Sequence, residues 1–335
     1  MKQFGLRLQV VGILPTLLAV GTIAFLLVAD APHSHMDWQL VVATAQAVGA
    51  SGAIAITALA VAVSVSLQPL QFRFVQLLEG YWPLGQDSWI FRAGVALERR
   101  RFDRLRDRLT ITVDPDDQRR RLAAEARASD AEQRLRTRFP RAEVRLMPTS
   151  LANALRSFED RAGARYGLES VVTIWPRLYP LLPKDFRSGL EDEVTQLDVS
   201  ARLCITWAAT AAVALSIELS DPSALLRNWP WLFVVILLIT LSVLSYQSAV
   251  ESALAHGLDV EVALDLYRAK VVEGMRLPAT DRLSQERRVL AKLSLLFESY
   301  SSDDGIELRY KRATGRRGSP AGAQRAPTIR GGPGG

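Results

Sequence analysis

The sequence predicts an all-α fold: a four-helix transmembrane bundle with a cytosolic helical domain between spans two and three. Three observations predict it. Four long stretches carry no charge although 23% of the residues are charged, so apolar and charged residues are segregated along the chain. Between the stretches, apolar side chains recur at helical spacing. Lys and Arg avoid two of the connections and crowd the others, which assigns each connection a side.

The first uncharged stretch, Leu8 to Ala29, lies between Arg7 and Asp30, and the second, Trp38 to Phe72, between Asp37 and Arg73. The third, Leu203 to Ile217, lies between Arg202 and Glu218, and the fourth, Asn228 to Val250, between Arg227 and Glu251. A hydrocarbon core of about 30 Å takes roughly 20 helical residues. The spans are therefore placed at about 8–29, 40–68, 203–219 and 229–250. The third is short, and is expected to rely on Arg202 snorkelling or on Glu218 at the membrane edge. The first hairpin then occupies 1–72, the inserted domain 73–202, the second hairpin 203–250, C-terminal helices 251–310, and a disordered basic tail 311–335.

Asp30–Gln39 has no cation and Leu219–Arg227 only Arg227, whereas Lys2, Arg7, the inserted domain and the tail are basic. Both termini and the inserted domain are expected in the cytoplasm, with the chain in a bacterial plasma membrane. A cleaved signal peptide could use Ala29-Asp30-Ala31, but the apolar run exceeds the usual h-region of roughly 7–15 residues, so span one is expected to stay. In span two, Ala45, Gly49 and Ala53 lie four apart and suit close helix approach. Another helix of the same chain is the expected partner, a seam between copies the alternative, and Gln46 is read as interhelical glue. Pro15 predicts a kink in span one.

After span two the helix is expected to run on and stop at Gly80, followed by Tyr81-Trp82-Pro83. An arginine-rich helix over Glu98–Leu109 follows, then one opened by Asp114-Pro115 and running through about Arg138. Acids interleave with these arginines and aromatics are nearly absent, which argues for a salt-bridged surface near anionic headgroups and against nucleic acid. Thr149 caps a helix bearing Asn153, Arg156 and Glu159, with Arg156 spaced to pair with Glu159 or Asp160. Ser170–Pro183 contains Trp175, Pro176, Arg177 and Pro180 and is expected not to form a regular helix throughout, with Arg177 held by a carboxylate such as Glu159 or by a lipid phosphate. Asp185 opens a helix that runs into span three, span four continues past Glu251 to a break at Leu277-Pro278, and a last helix starts at Thr280 or Asp281.

An ordered string of motifs carries a resemblance. Leu78-Glu79-Gly80-Tyr81-Trp82-Pro83, Pro148-Thr149 with Leu151, Asn153, Arg156 and Glu159, Tyr166-Gly167-Leu168, Trp175-Pro176-Arg177-Leu178, Gly257 and Asp265-Leu266-Tyr267-Arg268 make the chain similar to an uncharacterised family of four-span integral membrane proteins, mainly actinobacterial. The resemblance covers roughly 73–297 and carries over no catalytic residue, and His256 stands where the family commonly has tyrosine.

Nucleotide-binding glycine loops, zinc-protease and serine-nucleophile motifs do not occur. With one cysteine and three histidines, neither a disulfide framework nor a metal site is expected; the outer loop with His33 and His35 is read as an ordinary polar loop. No cofactor is expected and no enzyme activity, an enzyme acting on lipid through Arg156, Glu159 and Arg177 being set aside for want of a motif. The reading is a membrane-anchored scaffold or interaction protein whose partners are the lipid bilayer, a cytosolic protein and a second copy of the chain. Asn153, Arg156, Glu159, Trp175 and Arg177 are the candidate partner-binding or structural residues. The alternative is an oligomeric channel or transport component of bestrophin-like topology, on analogy of fold alone.

Overall fold

The structure is a computed structural model that describes residues 2–35, 38–110, 118–168, 170–278, 280–298, 308 and 310, with 2–12 and Trp38 described through their backbone only. Every regular element among them is helical: α1 (Lys2–Val28), α2 (Trp38–Leu67), α3 (Gln71–Glu79), α4 (Trp89–Asp107), α5 (Gln118–Arg138), α6 (Ser150–Ala164), α7 (Val171–Leu178), α8 (Lys184–Glu218), α9 (Pro222–Arg227), α10 (Leu232–Gly274) and α11 (Leu283–Glu298). Three helical runs, Gln39–Glu79, Lys184–Glu218 and Trp229–Gly274, are long and apolar enough to cross a membrane, and Ile13–Val28 is a shorter apolar piece. The expected Asp114-Pro115 helix start, the turn at Asp303 and the tail lie outside the described residues.

Helices α8 and α10 form the spine. They pair antiparallel, since Ser200 Oγ meets Ser248 Oγ at 2.9 Å while Ser242 Oγ donates to the Cys204 carbonyl at 3.0 Å. At 35 and 43 residues they are about 52 and 65 Å long, well beyond an apolar core of about 30 Å, so each carries an apolar length and a charged length without interruption. The third uncharged stretch is thus no isolated short helix. Pro183 starts α8, with Asp185 in the first turn, where a negative charge suits the helix dipole. Asp221 starts α9 by accepting from the amides of Ser223 and Ala224. At the end of α10, Arg276 adopts φ +55° and the Leu277 amide reaches back to the Val272 carbonyl at 3.1 Å, closing the helix before Pro278.

Three apolar cores lie along this spine. At the apolar end, Leu26 of α1 packs with Trp207, Ala214, Trp231 and Leu238. Midway, Leu151 and Ala154 of α6 meet Leu197, Val250 and Ala253. At the charged end, Ile174 and Leu178 of α7 pack with Leu190, Leu264, Leu290 and Leu293. The connection after α1 is tied to the apolar end, where Asn228 Nδ2 donates to the Pro32 carbonyl at 2.8 Å and Trp231 Nε1 to that of Ser34 at 2.9 Å. His33 lies 3.5 Å from Asp221 there.

Several expectations are corrected. Ala45, Gln46, Gly49 and Ala53 are exposed among the described residues rather than buried against another helix. The helix bends at Gly49 (φ +54°, ψ −171°), and the buried small residues of α2 are instead Thr44, Ala60 and Ser64. Arg202 does not snorkel outward: it is buried and donates to the Ser64 carbonyl at 3.0 Å and to Ser64 Oγ at 2.8 Å. Glu218 is fully buried rather than at a wet edge, and its two oxygens have no hydrogen-bond partner among the described residues. Ser170–Pro183, by contrast, is as expected not one regular helix: α7 covers Val171–Leu178 despite Pro176, and a 3-10 turn follows at Tyr179–Leu181. Pro176 leaves the Val172 carbonyl without its amide donor, a loss tolerated because Val172 is on the exposed side.

Candidate functional site

The motif residues of α6 assemble with α3 and α4 beside the middle of the spine. Thr149 caps α6 by accepting from the Ala152 amide at 3.2 Å. Just before it, Pro148 fills a notch made by two glycines: a Cβ at Gly80 would stand 2.4 Å from Pro148 Cγ, and one at Gly94 2.6 Å from Pro148 Cβ. Gly80 also ends α3 with φ +92°, so both its conformation and the approach of Pro148 demand glycine. The Leu151 amide donates to Tyr246 Oη of α10 at 3.1 Å, fastening the start of α6 to the spine.

Asn153 is fully buried and uses both ends of its amide. Its Oδ1 accepts from the Met147 amide at 2.8 Å, and its Nδ2 donates to the Met147 carbonyl at 3.0 Å and to Glu98 Oε2 at 3.3 Å. Glu98, 2% exposed, also accepts from Ser150 Oγ at 2.9 Å and Arg101 at 2.6 Å. A buried carboxylate is tolerated only when so partnered. The set is closed: each of these groups is consumed by another.

Arg156 and Glu159 lie a turn and two turns further along α6. Arg156 donates to the Arg145 carbonyl at 2.9 Å rather than to a neighbouring acid, while Asp160 pairs with Arg145 and accepts from the Arg141 amide at 3.3 Å. Glu159 is half-buried, and burial raises its pKa against the opposing pull of Arg145 and Arg156. Glu79, at the end of α3, faces the same place. Burial first, and the negative charge of Glu159 second, push it up to about 7, with Arg156 acting the other way. Two carboxyls from motifs 80 residues apart in sequence thus share an electrostatic environment (79 and 159).

Trp175 and Arg177 stand elsewhere. Trp175 packs at the edge of the charged-end core with Tyr179 at 5.9 Å between ring centroids. Arg177 donates to the Thr173 carbonyl at 3.0 Å and lies 4.1 Å over the Phe297 ring, and among the described residues neither Glu159 nor another acid holds it. The five candidate residues therefore do not converge: on α6 Asn153 belongs to the closed set around Glu98 and Arg156 and Glu159 to the one with Arg145 and Glu79, while Trp175 stands at the edge of the charged-end core and Arg177 joins α7 to α11.

Sequence reasoning missed the acids that complete these clusters. Glu98 precedes three consecutive arginines and reads as surface, and only Asn153 arriving from 55 positions away makes it a buried anchor (153 against 98). Tyr166 Oη donates to Asp265 at 2.6 Å, and Arg268 stacks 4.1 Å over the Tyr166 ring while pairing with Glu286 at 2.9 Å. Gly257 receives Phe158, whose Cβ would lie 2.7 Å from a Cβ added there. Beside it His256 is mostly buried, which lowers its pKa, and its ring meets Phe158 edge-on at 5.9 Å. Comparison of the chain with protein-family models, with curated proteins and with solved structures finds no match.

Proposed function

We propose that this chain is a four-span membrane protein that carries a rigid helical platform at the cytoplasmic face and serves as a membrane-anchored scaffold or interaction protein. The spans are 8–29, 40–68, 203–219 and 229–250, with both termini in the cytoplasm. The observation that carries the reading is the spine: α8 and α10 pass unbroken from apolar to charged sequence, so the platform cannot swivel on a linker. The motifs support it, because Asn153, Glu98 and Pro148 are spent on joining α3, α4 and α6 to each other and Tyr246 joins α6 to α10. The resemblance to the four-span family agrees with this topology. Single cysteines introduced at His35 and at Ser129 in a Cys204→Ser background test the placement. An impermeant maleimide added to intact cells should label the first and spare the second, and labelling of Ser129→Cys from outside would overturn it.

One observation favours a second reading, an oligomeric channel or transport component. On α2 the small face and Gln46 are exposed within an apolar helix, and its backbone departs from helical geometry at Gly49. Polar groups facing hydrocarbon are costly, and another copy would cover them. Mass measurement in lipid nanodiscs decides: a strict monomer eliminates the channel, whereas ion flux from reconstituted protein that disappears with Gln46→Ala eliminates a purely passive scaffold.

A further inference from the structure

A cavity of about 330 Å³ opens between α4, α5 and the start of α6, and five arginines line it: Arg101, Arg104, Arg108, Arg134 and Arg138. Among the described residues the single acid in its wall is Glu98, already enclosed by Arg101, Ser150 and Asn153. Arg134 pairs with Asp130 at 2.9 Å and Arg138 with Glu251 at 2.6 Å. Arg104 spends only its Nε, on the Arg100 carbonyl at 3.1 Å, and Arg108 has no side-chain partner among the described residues. Among the described residues, two guanidiniums therefore reach the cavity without a carboxylate partner. Like charges gather this way at a cost, which an anion would offset.

The position of the cavity narrows the anion. Its wall includes Val250, the last residue of the uncharged stretch of α10, and the next residue, Glu251, holds Arg138 at the rim. On the membrane reading proposed above, on which this inference rests, the mouth lies where hydrocarbon gives way to headgroups on the cytoplasmic side. Guanidinium forks match phosphate oxygens bidentately, and a headgroup can enter while its acyl chains stay beside α10. We propose that this cavity binds the phosphate of an anionic phospholipid headgroup, with Arg104 and Arg108 as its principal ligands and Arg101, Arg134 and Arg138 setting the surrounding potential.

The test uses the full chain in nanodiscs of phosphatidylcholine alone or doped with phosphatidylglycerol, read by native mass spectrometry as lipid retained per protein. Wild type should retain phosphatidylglycerol selectively, and Arg104→Gln/Arg108→Gln should weaken retention by at least about tenfold. The control pair Lys184→Gln/Arg282→Gln, which removes the same charge from exposed residues outside the cavity wall, should leave it unchanged. Arg104→Lys/Arg108→Lys keeps the charge without the fork and should fall between, which guards against a folding artefact together with an unchanged melting temperature in phosphatidylcholine. Equal loss in the cavity and control pairs would overturn the site in favour of diffuse surface attraction. Saturation by inorganic phosphate with no preference among lipids would overturn the lipid assignment. A chain that fails to enter nanodiscs overturns the membrane reading itself, whereas one that enters and shows no selectivity overturns only this inference.

Discussion

Asn153 shows how much one side chain can organise. Its amide joins the chain before α6 to a carboxylate on α4, so Asn153→Ala would strand the Met147 amide and remove a donor from buried Glu98. The loss should be about 2–4 kcal/mol, read as a lower melting temperature or denaturant midpoint in detergent. Glu79 gives a pH-dependent counterpart. Its native pKa of about 7 exceeds the ordinary 4.5, so the native state prefers it protonated, and stability present below pH 4.5 is lost as pH rises through 7. Such a displacement corresponds to about 3 kcal/mol, and partial exposure reduces it to roughly 1–2 kcal/mol. Glu79→Gln should therefore stabilise the protein above pH 7 and make little difference near pH 4.5, with Glu159, Asp160, Arg145 and Arg156 as the charges that shape the transition. A stability gap between variant and wild type that does not change with pH would contradict this account.

At the scale of the element, helix ends and helix contacts make distinct demands. The left-handed Arg276 closes α10 where glycine would be unstrained, and Arg276→Gly should raise stability by about 0.5–1 kcal/mol in a thermal melt. Gly94→Ala should do the reverse by about 1–3 kcal/mol, because its methyl would meet the Pro148 ring and carbonyl, the latter 2.9 Å away. Helix α7 survives Pro176 because Ile174 and Leu178, both fully buried, anchor it in the charged-end core. Truncating Ile174 to Ala should cost about 2–5 kcal/mol and loosen α7 and α11 together, seen as faster amide exchange in both.

The whole molecule is organised by two helices longer than any bilayer, which make apolar and charged ends one body. Much of this was legible in sequence: uncharged stretches, the Gly80 stop, the Thr149 cap and the break at Leu277-Pro278 all follow from local chemistry, since hydropathy, capping and proline act within a few residues. The absence of a break between Asp185 and the third stretch was legible too, though that stretch alone looks short. Less legible was the partner of each polar side chain. Arg202 and Ser64 are 138 positions apart, Asn153 and Glu98 55, and among the described residues Arg177 meets the Phe297 ring rather than Glu159. The small face of α2 was legible as a pattern, but whether it turns inward depends on the bend at Gly49 and on where α1 and α8 leave room. By itself the sequence determined which segments are helical, which are apolar, and where helices start and stop, because those properties depend on near neighbours. Only the tertiary structure decided that the motifs separate into two joints and that five arginines surround one cavity, because contacts between distant residues are set by how whole helices pack.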